Sequence, residues 1–172
     1  MNYTIRELSI DERNVLETFL YQAIFIPEGI TPPPFEIIKQ PELLVYIEGF
    51  GEQDGDICLV AECDNKIVGA VWVRIMNDYG HISDDMPSLA ISLLPEYRNK
   101  GISTALMKSM QEIVSKRGYK GISLSVQKQN YAARMYRKLG FNTIEDSPKF
   151  PNLPIRQRKR LPSPLPPRWV YR

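Results

Sequence analysis

From Ser88 to Met110 the chain reads SLAISLLPEYRNKGISTALMKSM. Its first part, residues 89–94, is a nearly uninterrupted apolar run, which predicts a strand buried on both faces. After Pro95 comes a turn, Arg98-Asn99-Lys100-Gly101-Ile102-Ser103, and a helix leaves it. Over residues 101–116, Ile102, Leu106, Met110 and Ile113 recur on one stripe, and Gly118 stands where a left-handed cap is wanted. A strand that turns directly into a helix gathers unpaired amides and the positive end of a helix dipole at one point, which suits an anion. Gly101 lets the backbone approach a bulky phosphate, and Arg98 and Lys100 add positive charge; a pyrophosphate fits this arrangement. The same spacing also suits an ordinary strand-to-helix connection, because a single glycine turn is weak as a motif.

Toward the amino end, residues 57–62 and 66–75 flank a turn at Asp64-Asn65 and read as a β-hairpin. Residues 3–8 alternate apolar and polar side chains, as an edge strand does. Val15, Leu16, Phe19, Leu20, Ala23 and Ile24 recur at helical spacing behind Ser9 or Asp11 as caps. Pro27, Pro32, Pro33, Pro34 and Pro41 then exclude both helix and central strand, leaving a loop that packs over something. Pro41 opens a short helix carrying Leu43, Leu44, Ile47 and Phe50. Toward the carboxyl end, residues 121–126 predict a strand, 131–139 a helix closed by Gly140, and 141–144 a further strand. This alternation predicts an α/β layer, helices packed on a mixed central sheet.

The chain has 172 residues, 43% hydrophobic and 24% charged, enough for one core and too few for two ordinary domains. It divides as a folded domain over 1–147 and a Pro/Arg-rich tail over 148–172. The net charge of +2 hides this division. Residues 1–147 hold fifteen Lys and Arg against 20 Asp and Glu, whereas the tail holds seven basic residues, seven prolines and no acid. No run of roughly 18–20 apolar residues is present, and the amino terminus lacks the pattern of a leader, so a cytoplasmic location is expected. Cys58 and Cys63, with His81 alone as an imidazole, do not make a zinc set; reduced thiols and no metal are expected.

The segment Pro95-Glu96-Tyr97-Arg98-Asn99-Lys100-Gly101-Ile102-Ser103 resembles the acetyl-CoA pyrophosphate loop of GNAT (GCN5-related) N-acetyltransferases, which runs Arg or Gln, two residues, Gly, one residue, then Gly or Ala. Asn130-Tyr131-Ala132-Ala133-Arg134-Met135-Tyr136-Arg137-Lys138-Leu139-Gly140-Phe141 resembles the same family's later block. Together the resemblance covers roughly residues 3–146. Ser103 departs from the loop pattern, but a small hydroxyl at a helix start can still donate to a phosphate.

The resemblance implies a GNAT-like α/β fold with helices on both faces of the sheet, acetyl-CoA as co-substrate, and direct attack of an amine on the thioester. It further implies that Ile91, Ser92 and Leu93 line the pantetheine arm, that Arg98, Asn99, Lys100, Gly101, Ile102, Ser103 and Thr104 hold the pyrophosphate, and that Asn130 binds the CoA arm. Tyr136 matches the general acid that protonates the thiolate; spacing alone would make it a core aromatic. His81, Asp84 and Asp85, on the acidic connection into the thioester strand, are candidates for the base, Asp85 foremost; a solvated turn, with water as base, is the alternative. The acceptor is expected to be a small-molecule or peptide amine, with no membrane partner.

Members of that family end with a strand after the Gly-Phe strand, and nothing after Asp146 resembles one except Trp169 to Tyr171. Those residues return to the sheet, or the edge stays open, or a second subunit fills it in a homodimer. The tail is expected to be poorly ordered and dispensable. Two other functional classes remain: a CoA-binding or sensing module without turnover, and nucleic-acid or ribosome association through Arg156, Arg158, Lys159 and Arg160 with Trp169 as a stacking group. For the latter the Pro-rich setting favours a solvated tail instead.

Overall fold

The computed structural model describes residues 2–77, 81–145 and 155–162. Strand β1 (Thr4–Glu7) leads through a 3₁₀ turn at Ile10–Glu12 to helix α1 (Val15–Ala23). The proline-rich stretch after α1 admits only a 3₁₀ turn, Phe35–Lys39, before the short helix α2 (Pro41–Leu44), where Pro41 sits in the first turn and forfeits no helical bond. Strands β2 (Ile57–Cys63) and β3 (Lys66–Arg74) form the expected hairpin. Asp64 and Asn65 take φ of 51° and 61°, the left-handed pair that a two-residue hairpin turn requires. There follow β4 (Ser88–Leu93), α3 (Ile102–Lys116), β5 (Gly121–Val126), α4 (Ala132–Lys138), β6 (Asn142–Glu145) and β7 (Ile155–Arg160).

The strands form one sheet in the order β1-β2-β3-β4-β5-β7-β6, antiparallel throughout except where β4 meets β5. Side-chain alternation along the strands sorts two apolar layers. On one face α3 and α4 bring Leu106, Met110 and Tyr136 onto Leu59, Val71, Leu89, Leu93 and Leu124. On the other face α1 and the segment after it bring Leu16, Phe19, Leu20 and Ile38 onto Cys58, Val60, Ala70 and Trp72. The chain is therefore a mixed sheet flanked by helices on both faces. Phe19 and Trp72 are 2% and 1% exposed, so truncating either to alanine costs on the order of 3–5 kcal/mol. Among the described residues no helix is long and apolar enough to cross a membrane, and no cluster of His, Cys, Asp and Glu could hold a metal.

A buried ion pair fixes the segment after α2. Arg74, at the end of β3, donates from Nε and an Nη to the two carboxylate oxygens of Asp56, at 3.1 and 3.0 Å. Its other Nη donates to the carbonyls of Val45 and Glu48 at 2.9 and 2.8 Å. Trp72 Nε1 donates to the Tyr46 carbonyl, 3.1 Å. These bonds satisfy carbonyls that an irregular segment would otherwise bury unpaired. Nothing in the sequence connects Arg74 with an aspartate eighteen residues away.

The carboxyl end departs from expectation. A stretch that reads as part of a strandless tail, residues 155–160, is β7, an interior strand: it pairs with β5 over its whole length, Gly121 opposite Arg160 through Val126 opposite Ile155, and with β6 on its other side. The strand expected to follow the Gly-Phe strand is therefore β7, inserted between β5 and β6; Trp169 to Tyr171 lie outside the described residues. The sequence misleads because β7 carries four basic residues. Its side toward α3 is nonetheless enclosed: Gln157 is 1% exposed, and Lys159 Nζ donates to Gln111 Oε1 on α3 at 2.6 Å.

Candidate active site

Strands β4 and β5 part company almost as soon as they meet. Their ladder consists of Ser88 opposite Ser123, supported by Ser123 N–H donating to the Pro87 carbonyl (3.0 Å) and Lys120 N–H to the Asp85 carbonyl (2.9 Å). Beyond Ser88, β4 stays paired with β3 and β5 stays paired with β7 on its other edge, but the two no longer pair with each other, which opens a gap in the middle of the sheet. The parity of the ladder shows which groups face the gap. Leu94 N–H donates to Val68 on β3, so residues 92 and 90, two and four positions back, also address β3. The amides of Ile91 and Leu93 and the carbonyl of Ile91 therefore aim into the gap, where an extended polar chain could pair with them as a strand would. Ser92 does not join them: its backbone serves β3, and its hydroxyl donates to the Phe19 carbonyl at 2.6 Å.

At the far end of β4 the chain makes a 3₁₀ turn, Pro95–Tyr97, and enters α3 through two left-handed residues, Asn99 (φ 60°) and Gly101 (φ 84°). Gly101 is the N-cap, and the first helical bond is from Ala105 N–H to the Gly101 carbonyl. The amides of Ile102, Ser103 and Thr104 thus lack intrahelical acceptors, no side chain among the described residues caps them, and no acid stands in the first turn. A Cβ built on Gly101 would meet nothing within 4 Å, so the backbone there is open to a large anion.

Arg98 and Lys100 do different work from that expected of them. Arg98 Nε donates to the Leu93 carbonyl (3.1 Å), and an Nη donates to Gln22 Oε1 on α1 (3.0 Å). Lys100 Nζ donates to the Glu96 carbonyl (2.7 Å) and lies 5.5 Å over the Tyr97 ring. Both side chains brace the turn, and the amides are left to meet an anion.

A groove of about 460 Å³ continues from this helix start, running between α3 and α4. Thr104, Lys108, Tyr131, Arg134, Lys138 and Leu139 line it. Lys108, Arg134 and Lys138 are exposed, and Tyr131 is 62% exposed, so the groove offers three cations and a flat ring to a phosphorylated, aromatic ligand. The sequence reading missed it. The available signal is the i,i+4 spacing of Thr104 with Lys108 and of Arg134 with Lys138, but only the packing of α3 against α4 makes the two sets face each other.

Asn130 caps the start of α4: its Oδ1 accepts from Ala132 N–H at 2.9 Å, which leaves the side-chain NH₂ as the group with which it could meet a ligand. Tyr136, two turns on, is buried against Phe141 with ring centroids 5.8 Å apart. Burial raises its phenol well above the ordinary value, so it stays protonated throughout the working pH range. Asp85 is unsuited to the role of base. Its carboxylate is held by Lys120 and by the Ser83 hydroxyl, which keep its pKa below the usual range. It therefore sits as a fastened anion at the closed end of the gap. Asp84, 88% exposed in its side chain, lies 3.7 Å from His81 Nε2 on the same connection.

The comparisons with known proteins agree with this geometry. An N-alpha-acetyltransferase of Saccharolobus solfataricus is 36% identical over 95 residues, a match covering 50% of this chain and 56% of the relative. That stretch is little more than half the relative's length. Among solved structures, the PaiA N-acetyltransferase of Thermoplasma acidophilum in complex with coenzyme A superposes with a TM-score of 0.68 at 22% identity, covering 93% of this chain and 99% of that one. The yncA protein of Salmonella typhimurium, solved with acetyl-CoA, gives 0.68 at 17% identity over 97% and 98%. These two show the fold. Residues 22–141, which include β4, α3, β5 and α4 and stop short of β6 and β7, match the acetyltransferase (GNAT) family, and the chain belongs to that family.

Proposed function

We propose that the protein transfers an acetyl group from acetyl-CoA to a primary amine of a small molecule or peptide, by direct attack with both substrates held together. The observation that carries this reading is the gap between β4 and β5 opening beside an uncapped helix start. One end offers backbone groups to an extended pantetheine-like arm, and the other offers the amides of Ile102, Ser103 and Thr104 to a pyrophosphate. The groove with Lys108, Arg134 and Lys138 suits the phosphorylated nucleotide end. Acetyl-CoA supplies the activated thioester; the chain supplies position.

Holding an amine against a fixed thioester can remove roughly 7–11 kcal/mol of the barrier when the geometry is productive. Tyr136 serves as hydrogen-bond donor to the departing sulfur. With ordinary values, a phenol near 10 and a thiol near 8.5 would make full proton transfer uphill by about 2 kcal/mol. Burial of Tyr136 enlarges that gap, so its contribution is stabilisation of the thiolate through a donated hydrogen bond, with solvent completing the protonation. Water takes the proton of the incoming ammonium in place of Asp85. The test is acetyl-CoA consumption against a panel of small amines and amino-terminal peptides. Turnover with at least one class supports the reading, and tight CoA binding without turnover on any amine would assign the protein to CoA sensing instead.

A further inference from the structure

The register of β7 lines up arginines on one side of the sheet. Arg160 stands opposite Gly121 and Arg158 opposite Ser123. Lys159 reaches Gln111 on α3, so by strand alternation Arg158 and Arg160 lie on the other face, the one that carries α1. There α1 and the segment after it cover β2, β3 and β4, and among the described residues no member of β5 or β7 joins their apolar cluster. Arg158 is partly buried and Arg160 exposed, and neither forms an ion pair among the described residues. The row begins beside the mouth of the gap: Arg158 is opposite Ser123, the residue of β5 that pairs with β4, and Ser125, next on that face of β5, has a buried Oγ without a hydrogen-bond partner among the described residues. The cations suited to the nucleotide, Lys108, Arg134 and Lys138, line the α3–α4 groove on the opposite face. The arginine row is therefore separate from the cofactor side.

We propose that this row receives the acceptor, and that the acceptor is a peptide with acidic residues at alternate positions behind its reacting amine. The proposal rests on the acetyl-transfer reading for the amine and adds the chemistry of the peptide residues next to it. Alternate residues on a strand are about 6.6 Å apart, which is also the spacing of same-side carboxylates on an extended peptide. Charge complementarity then fixes the direction in which the peptide leaves the gap. A nucleic acid fits less well, since β7 presents no aromatic ring on which a base could stack.

The test uses the full chain loaded with coenzyme A and a hexapeptide with a free amino terminus, a carboxyl-terminal fluorophore and acidic residues at alternate positions, set against its amide counterpart. Anisotropy at low salt should show the acidic peptide bound at least about tenfold more tightly. The double variant Arg158→Gln, Arg160→Gln should erase that preference while keeping its melting temperature and its stabilisation by coenzyme A. The single variant Arg160→Glu, at an exposed position, gives the same reading if the double variant folds poorly. Equal binding of the two peptides by the parent, or a preference that survives in the variants, overturns the proposal. So does a single-stranded RNA that binds more tightly and resists displacement by the acidic peptide. Acetylation without an acidic preference rejects the row and keeps the transferase, whereas acidic preference without acetylation of any amine rejects the transferase and keeps the row.

Discussion

Strands β4 and β7 both lie inside the sheet, yet they are held there by opposite means. β4 is secured by side chains: Ser88, Leu89, Ser92 and Leu93 are buried between two helical layers, and Ala90 and Ile91 partly so. It can therefore leave the amides and carbonyl on its β5 side unpaired and give them to a ligand. β7 offers few apolar groups, and only Gln157 among its described side chains is fully enclosed. It is secured by its backbone, with ladders on both sides. At a net of about 0.5–1.5 kcal/mol per hydrogen bond, six residues paired with β5, three of them paired with β6 as well, can hold a strand whose side chains contribute little burial. A strand rich in apolar burial can spare its backbone for binding, whereas a charged one spares its side chains instead.

The largest effect expected is therefore at β7. Ending the chain after Pro154 removes the strand and bares β5 and β6 together, and the melting temperature should fall by more than about 10 °C, with aggregation through the bared edges. Ending it after Pro162 should cost no more than a few degrees. If both truncations melt alike, β7 is not integral and the contrast with β4 collapses.

The amino half should break where its buried ion pair breaks. Replacing Asp56 by Ala leaves the Arg74 guanidinium, 3% exposed in its side chain, without its carboxylate. Loss of one partner of a buried pair costs roughly 3–5 kcal/mol, measurable by urea unfolding. A loss under about 1 kcal/mol would mean that the Val45 and Glu48 carbonyls alone hold the arginine.

Much of the β4 side is legible in the sequence because its cause is local. An apolar run, a turn residue with positive φ and a helical stripe each leave a mark within a few positions, and so the strand, Gly101 and α3 stand where expected. The illegible features are set by distant partners. Asp56 is an ordinary acid until Arg74 is folded onto it, and Asp85 looks like a base until Lys120 is brought to it. The groove cations belong to two separate helices. β7 hides because hydrophobic patterning is blind to a strand that the ladder supports; Pro154 and Pro162, which bracket it, are the one mark it leaves.

Smaller effects are expected at the site itself. Tyr136→Phe should keep CoA binding and slow turnover on the order of 10²-fold, read as kcat in a saturating assay. A variant within about twofold of the parent would leave thiolate stabilisation to solvent. Gly101→Val puts a β-branched residue at φ 84° in the mouth of the proposed phosphate site. It should weaken CoA at least tenfold, seen as loss of the CoA-induced rise in melting temperature, while the apo protein still melts cooperatively. Unchanged affinity would move the pyrophosphate away from this turn.

The smallest effect concerns the edge strand β1, at the far side of the sheet from β6. Arg6 donates to both carboxylate oxygens of Glu12, at 2.8 and 2.7 Å, and to Glu62 at 2.8 and 2.6 Å. With the Ser9 N–H as a further donor, the guanidinium lowers the Glu12 pKa to about 2. A group whose folded pKa lies below its unfolded value adds its full stability where it is ionised in both states, and a shrinking part of it where only the folded form is ionised. That contribution is complete above the unfolded value near 4.3 and disappears as pH falls toward 2. Comparing Glu12→Gln with the parent across pH 2–7 should therefore show a gap in melting temperature of only about 1–3 °C at pH 6, since exposed pairs contribute little. The gap should narrow below pH 4.5 and close near pH 2. A gap that persists at pH 2 would assign the Glu12 contribution to packing, and β1 would then resemble β4 more than β7 in what holds it.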